Sequence, residues 1–224
     1  MTTPALVFDL DGTLVDTAPD LLAALNTALE AEGRPPVDPG DLRRLVGRGA
    51  RVLISEAFKM VVGPANPDAQ ARMLACFLAY YEEHVADRSR PFPGVVETLT
   101  ALNAQGVRLG VLTNKPHEMS IRLLEALGLS PLFRAIYGQG RKTYLKPDPR
   151  LFADVVHDLG GPGRGAVMIG DSITDVETAR GAGAPVILVS YGYTPEPAHS
   201  LGADAVVDAF GDIPAAVAKL LQRP

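Results

Sequence analysis

The sequence predicts an α/β fold in which a doubly wound parallel sheet is interrupted, soon after its first strand, by an inserted α-helical unit. Three observations predict it. Short β-rich apolar runs recur along the chain and end in polar loops, helix-like stretches lie between them, and one long early stretch carries helical patterns alone. With 224 residues, 47% of them hydrophobic, the chain can bury a substantial core, either as one large domain or as a core plus an insert.

Ala5–Leu10 is the first strand-like run. From about Asp16 to Asp87 the rhythm breaks. Leu21, Leu22, Leu25, Ala28 and Leu29 share a helical face, and Asp38-Pro39 followed by Asp41 supplies a cap, a first-turn proline and an acid suited to the helix dipole. Further helical patterns run through Val52, Leu53 and Phe58, and through Met73, Leu74, Phe77, Tyr80 and Tyr81, so a small bundle is expected. Arg90-Pro91-Phe92-Pro93-Gly94 is stiff and non-helical, as a linker between two packed units should be.

Beyond it the alternation resumes. Helices are expected over Gly94–Ala104, Glu118–Leu127, Pro149–Leu159 and Thr174–Ala182, several closed by a glycine such as Gly128, Gly160 or Gly183. Strands are expected over Val107–Leu112, Arg134–Tyr137, Ala166–Ile169, Pro185–Val189 and Ala205–Val207. The expected organisation is a core domain of residues 1–15 and 88–224 with a helical domain of residues 16–87.

Composition excludes several function classes. A net charge of −5 gives no general attraction to nucleic acid or anionic lipid. The single cysteine, Cys76, cannot form an internal disulfide, and His84, His117, His157 and His199 lack metal-site spacing, so a zinc site is not expected. Met1-Thr2-Thr3-Pro4 lacks a basic region followed by an apolar run, so no export is expected, and no apolar run reaches the roughly 20 residues needed to span a bilayer. A cytoplasmic protein without nucleic-acid or membrane partners is expected.

Four segments, each at the C-terminal end of an expected strand or just beyond it, carry the chemistry. In open α/β sheets that edge holds the ligand. Asp9-Leu10-Asp11-Gly12-Thr13 delivers two carboxylates one residue apart, which point the same way. Such a pair repels by roughly 4 kcal/mol at ~4 Å and an effective dielectric near ~20, so a cation must compensate it, and a hard metal ion is the natural candidate. Gly12 permits a sharp turn, and Thr13 can direct its hydroxyl to freed backbone groups.

Thr113, in Leu112-Thr113-Asn114-Lys115, can donate to a phosphoryl oxygen. Lys146, in Lys146-Pro147-Asp148-Pro149, can neutralise Asp9 and a bound phosphate. In Gly170-Asp171-Ser172-Ile173-Thr174-Asp175, one helical turn brings Asp171 and Asp175 to the same side. One lysine against four carboxylates leaves a negative site that would repel phosphate, and a divalent ion reverses most of that. Taken singly, each segment also reads as an ordinary turn, surface lysine or helix cap; their ordered conjunction on one sheet edge does not.

These segments resemble the four motifs of the haloacid dehalogenase superfamily, and the resemblance covers the whole chain. It implies a Rossmann-like core with an α-helical cap, Asp9 as nucleophile, Asp11 as general acid and base, and Thr113 and Lys146 as stabilisers of the phosphoryl oxygens. Mg2+ would be held by Asp9, Asp171 and the backbone carbonyl of Asp11, with Asp175 behind them. Within the superfamily, Val46-Gly47-Arg48-Gly49-Ala50, Thr113-Asn114-Lys115-Pro116, Lys146-Pro147-Asp148-Pro149 and Tyr191-Gly192-Tyr193 resemble the bacterial phosphoglycolate phosphatases.

The expected substrate is therefore a small phosphoester, above all 2-phosphoglycolate, handled by a monomer or homodimer. Thr13, Asn114, Lys115 and the cap residues Gly47, Arg48 and Gly49 are the expected substrate contacts. At a helix start, the Gly47-Arg48-Gly49 backbone and Arg48 can hold a carboxylate, or the glycines can simply make a turn beside a solvated arginine. Other small esters (sugar phosphates, amino-sugar acid phosphates, nucleotides, pyrophosphate) and a sugar phosphomutase remain open. A leaving halide needs no proton, so halide displacement would leave Asp11 without a role, and a phospho-accepting signalling domain would leave the helical insert unexplained.

Overall fold

This computed structural model describes residues 3–43, 46–47, 49–62, 66–163 and 165–222. Six parallel strands make the main sheet: β1 (Ala5–Phe8), β4 (Arg108–Pro116), β5 (Ala135–Gln139), β6 (Ala166–Gly170), β7 (Val186–Val189) and β8 (Ala205–Val207), in the order β5-β4-β1-β6-β7-β8. Phe8 is in register with Val111 on one side and Ile169 on the other, so the residues following β1, β4 and β6 emerge side by side.

Alternate side chains along the strands enter two cores. Leu6, Phe8, Leu109, Val111, Val167 and Ile169 pack on one face with α5 (Val95–Ala104), α6 (His117–Ala126) and α9 (Ile213–Leu220). Ala5, Val7, Leu112, Met168, Val186 and Leu188 pack on the other with α7 (Pro149–Asp158) and α8 (Ile173–Gly181). Burial on both faces explains why these strands read as unbroken apolar runs rather than as alternation.

Between the first strand and Arg90 lie α1 (Ala18–Ala31), α2 (Pro39–Arg43), α3 (Ala50–Val62) and α4 (Pro67–Glu83). Pro39 and Pro67 open their helices, where a missing N–H costs nothing, and Asn66 caps α4 by accepting from the N–H groups of Asp68 and Ala69. Leu53, Phe58, Met73, Phe77 and Tyr81 are buried with Leu21, Leu25 and Leu29 of α1.

Two local differences from the sequence reading concern the approach to the site. β2 (Val15–Asp16) pairs antiparallel with β3 (Arg90–Pro91), so the outgoing and returning chains form a two-residue ladder where a helix start and a bare linker are expected. A pair this short has no periodicity to read. Asp20 fastens it, accepting from the Ser89 N–H at 2.8 Å, the Ser89 hydroxyl at 2.7 Å and the Arg88 N–H at 3.0 Å. The Tyr193 hydroxyl accepts from the Thr17 and Ala18 N–H groups at 2.7 and 3.0 Å and donates to Asp16 Oδ1 at 2.6 Å.

The second difference is the length of β4, which runs to Pro116 instead of ending at Leu112 and so carries Thr113, Asn114 and Lys115. Their polarity suggests a loop, yet all three are buried with bonded side chains, and a satisfied polar group does not end a strand. Among the described residues no helix is long and apolar enough to cross a membrane.

Candidate active site

Asp9 follows the central strand and is 3% exposed. Its Oδ1 accepts from the Leu10 N–H at 2.7 Å and pairs with Lys146 Nζ at 2.9 Å. Asp171 follows β6; its Oδ2 accepts from the Tyr193 N–H at 2.7 Å and its Oδ1 from the Thr13 hydroxyl at 3.3 Å. Room for Asp171 is made by glycine. A Cβ at Gly12, which stands at φ +83°, would lie 2.5 Å from Asp171 Oδ2, and one at Gly192 would lie 2.2 Å from Asp171 Cβ.

Asp175, in the first turn of α8, accepts at Oδ1 from Lys146 Nζ at 2.7 Å. Its Oδ2 accepts from the N–H and hydroxyl of Ser172 at 3.1 and 2.8 Å and from the Asp171 N–H at 3.2 Å, which makes it half of a capping box. Asp9, Asp171 and Asp175 together offer carboxylate oxygens all within 4.8 Å of one another.

Electrostatics show what this cluster lacks. Burial, reinforced by Asp175, pushes Asp9 up to about 7 against the pull of Lys146. Burial, with Asp175 and Asp9, holds Asp171 well above the ordinary carboxylate range. Burial alone would lower Lys146, but Asp175 and Asp9 outweigh it and raise it. One ammonium cannot satisfy three buried carboxylates, and a closely spaced all-oxygen donor set of this kind suits a hard divalent cation.

β4 contributes the next three residues. The Thr113 hydroxyl accepts from the Lys115 N–H at 3.1 Å. Asn114 spends both ends of its amide on the backbone of Lys146, donating to its carbonyl at 3.1 Å and accepting from its N–H at 3.0 Å. Lys115 is buried, with Nζ on Asp11 Oδ1 at 2.9 Å and on the hydroxyl of Tyr81 from α4. The structure thus brings Asp9, Lys146, Asp171, Asp175, Thr13 and Thr113 together. Thr13 is turned toward Asp171 and Asn114 toward the Lys146 loop, while Lys115 faces Asp11.

A cavity of about 480 Å³, counting its mouth, opens beside Asp9 and Asp11. Thr113, Lys115 and Tyr81 supply polar wall; Leu21, Leu53, Phe77 and Met119 supply apolar wall; Gly47 and Gly49 border it next to the start of α3. Arg48 lies outside the described residues. His117 is not part of this wall; its ring accepts from the Gly138 N–H at 3.4 Å. Tyr81 is the site residue that helical periodicity hides, because it occupies an ordinary apolar position of α4. Its signal is chemical: a buried tyrosine needs a partner for its hydroxyl.

Comparison with known proteins identifies the family. Residues 6–189 match the family model for haloacid dehalogenase-like hydrolases. A phosphoglycolate phosphatase of Caulobacter vibrioides is 47% identical over 216 residues, covering 96% of this chain and 91% of that protein. An N-acetylmuramic acid 6-phosphate phosphatase of Pseudomonas aeruginosa is 38% identical over 207 residues, covering 91% and 90%. The crystal structure of a predicted phosphoglycolate phosphatase from Haemophilus somnus matches with a TM-score of 0.90 at 32% identity, covering 97% of this chain and 99% of that one. By sequence and by fold, the chain belongs to the haloacid dehalogenase-like hydrolases.

Proposed function

We propose that this chain is a phosphatase that hydrolyses 2-phosphoglycolate to glycolate and phosphate through a phosphoaspartate on Asp9. The observation that carries the reading is the meeting of Asp9, Asp171 and Asp175 around Lys146, with Asp11 on the wall of a small cavity. The Asp9 carboxylate attacks phosphorus in line, forming an acyl phosphate as the bond to the leaving oxygen breaks. Asp11 gives that oxygen its proton, then takes one from the water that cleaves the acyl phosphate. Thr113 and Lys146 stand where the phosphoryl oxygens carry charge.

The donor set fits Mg2+, which when bound supplies the positive charge that lets a phosphate approach the carboxylates. Asp9, Asp171 and the Asp11 backbone carbonyl would hold it. Asp175, whose oxygens are occupied by Lys146, Ser172 and the Asp171 N–H, orients its neighbours instead.

Residues 16–87 serve in this reading as a cap closing on a core of residues 1–15 and 88–224, so that α1, α3 and α4 supply the apolar wall that excludes water. Gly47 and Gly49, next to the start of α3, are where the substrate carboxylate would lie. The relative that acts on N-acetylmuramic acid 6-phosphate favours a second reading, an amino-sugar acid phosphate, whereas the more similar phosphoglycolate phosphatase of Caulobacter vibrioides favours the two-carbon acid. The cell compartment would be the cytoplasm and the assembly a monomer or homodimer.

Phosphate release across 2-phosphoglycolate, sugar phosphates, amino-sugar acid phosphates, nucleoside monophosphates and pyrophosphate, with and without Mg2+, tests the proposal. A Mg2+-dependent preference for 2-phosphoglycolate is expected. Equal rates on every ester would remove it.

A further inference from the structure

Tyr81 is 1% exposed, yet it borders the cavity beside Asp11. Its ring stacks on Phe77, one turn earlier in α4, with centroids 5.6 Å apart, so the hydroxyl is held on a stiff arm. That hydroxyl meets Lys115 Nζ. An ammonium has no lone pair and can only donate, so in this contact the tyrosine oxygen accepts. The phenolic proton therefore remains to be given elsewhere. Among the described residues nothing on the protein takes it, and burial holds the phenol protonated far above neutral pH. A buried donor without an acceptor is costly, and the cavity is the remaining place for the acceptor.

The position of the hydroxyl narrows what that acceptor is. Lys115 Nζ bridges Tyr81 and Asp11, lying 2.9 Å from Asp11 Oδ1, so the Tyr81 hydroxyl sits two hydrogen bonds away from the carboxylate that serves the leaving oxygen. A ligand atom meeting Tyr81 would belong to the leaving alcohol, one or two carbons beyond the ester oxygen. Of the other lining side chains, Leu53, Phe77 and Met119 offer no hydrogen-bond donor, so one oxygen of the substrate carboxylate would meet Tyr81 and the other the Gly47 and Gly49 backbone proposed above.

Building on the proposed phosphatase reaction, we propose that Tyr81, oriented by Lys115, is a specificity-determining residue that donates its hydroxyl proton to an acceptor, a carboxylate in the case of 2-phosphoglycolate, on the leaving group next to the scissile ester. The enzyme would then select phosphoesters by a group on the carbon adjacent to the ester carbon, and phosphorus chemistry itself would not depend on the phenol.

The test compares wild type and Tyr81→Phe on 2-phosphoglycolate and on ethyl phosphate, which has the same two-carbon skeleton without the carboxylate. A hydrogen bond to a charged group predicts that Tyr81→Phe lowers kcat/KM for 2-phosphoglycolate by about ten- to hundredfold. Ethyl phosphate should change by less than about threefold on the same principle, and inhibition by glycolate should weaken in parallel with the first effect. Thermal unfolding of both proteins checks that the Phe variant is folded. Equal losses on both esters would overturn the proposal in favour of an effect through Lys115 and Asp11, and no loss on either would overturn it outright. If wild type itself shows no preference for 2-phosphoglycolate over ethyl phosphate, the proposed substrate falls with it; if the preference exists and survives Tyr81→Phe, this inference alone falls.

Discussion

Asn114 grips Lys146 by its backbone: one amide hydrogen bonds the Lys146 carbonyl at 3.1 Å, and the amide oxygen takes the Lys146 N–H at 3.0 Å. β4 thereby fixes a loop 32 residues away, and that loop holds the ammonium that contacts both Asp9 and Asp175. Asn114→Ala removes both bonds and orphans two buried backbone groups. Unfolding in denaturant should show a loss of about 1–3 kcal/mol, and phosphate-release assays about a ten- to hundredfold drop in kcat. A variant with normal kcat would place the clasp outside catalysis.

Lys115 holds Asp11 in place from within the protein, at 2.9 Å and almost without solvent. Replacing it with methionine keeps the stem and removes the charge. Lys115→Met should slow 2-phosphoglycolate and ethyl phosphate alike, by about tenfold or more, because general acid catalysis needs a positioned carboxyl group. The discriminating measurement is kcat/KM on the two esters; a loss confined to 2-phosphoglycolate would show that Lys115 binds substrate instead.

Much of this architecture was legible before any coordinates, for a physical reason. A parallel sheet covered on both faces needs apolar runs bounded by turns, and Ala5–Phe8, Ala166–Gly170 and Val186–Val189 are such runs. Asp9 and Asp171, which follow the first two of these, are brought side by side by the strand order, whereas the Lys146 loop beyond β5 also needs the Asn114 clasp. What could not be read depends on contacts between distant residues. The Lys115–Asp11 pair spans 104 positions, and the Lys115–Tyr81 pair spans 34. β4 continues past Leu112 because partners elsewhere satisfy Thr113, Asn114 and Lys115, and the β2–β3 ladder is too short to leave a pattern.

Tyr193 separates two functions within one residue. Its N–H serves Asp171, while its hydroxyl closes the start of α1 through Thr17, Ala18 and Asp16. Tyr193→Phe removes only the second set and leaves two helix-terminal N–H groups unpaired. Stability should fall by about 1–3 kcal/mol, roughly 2–12 °C in Tm for a chain of this size, while Mg2+ affinity measured by calorimetry stays within about twofold of wild type. Weakened Mg2+ binding would mean that the ring positions Asp171 as well.

Metal removal should expose the cost of gathering these carboxylates. Asp9 rises from 3.8 to about 7 on folding, so between those values the folded chain binds more protons than the unfolded chain. Its contribution to the stability of the metal-free protein therefore falls as pH rises through that window. Thermal unfolding in EDTA should show a lower Tm at pH 7.5 than at pH 5, a smaller difference in Asp9→Asn, and recovery at pH 7.5 on adding Mg2+. An unchanged pH dependence in Asp9→Asn would contradict the assignment of the effect to Asp9.

The proposed covalent step on Asp9 is open to direct observation. Acid quenching during turnover of 2-phosphoglycolate, followed by mass spectrometry of the peptides, should find phosphate on the segment containing Asp9. Asp9→Asn should carry none and should lose phosphate release by about a thousandfold or more. Phosphate trapped on another residue, or turnover retained by Asp9→Asn, would contradict the account.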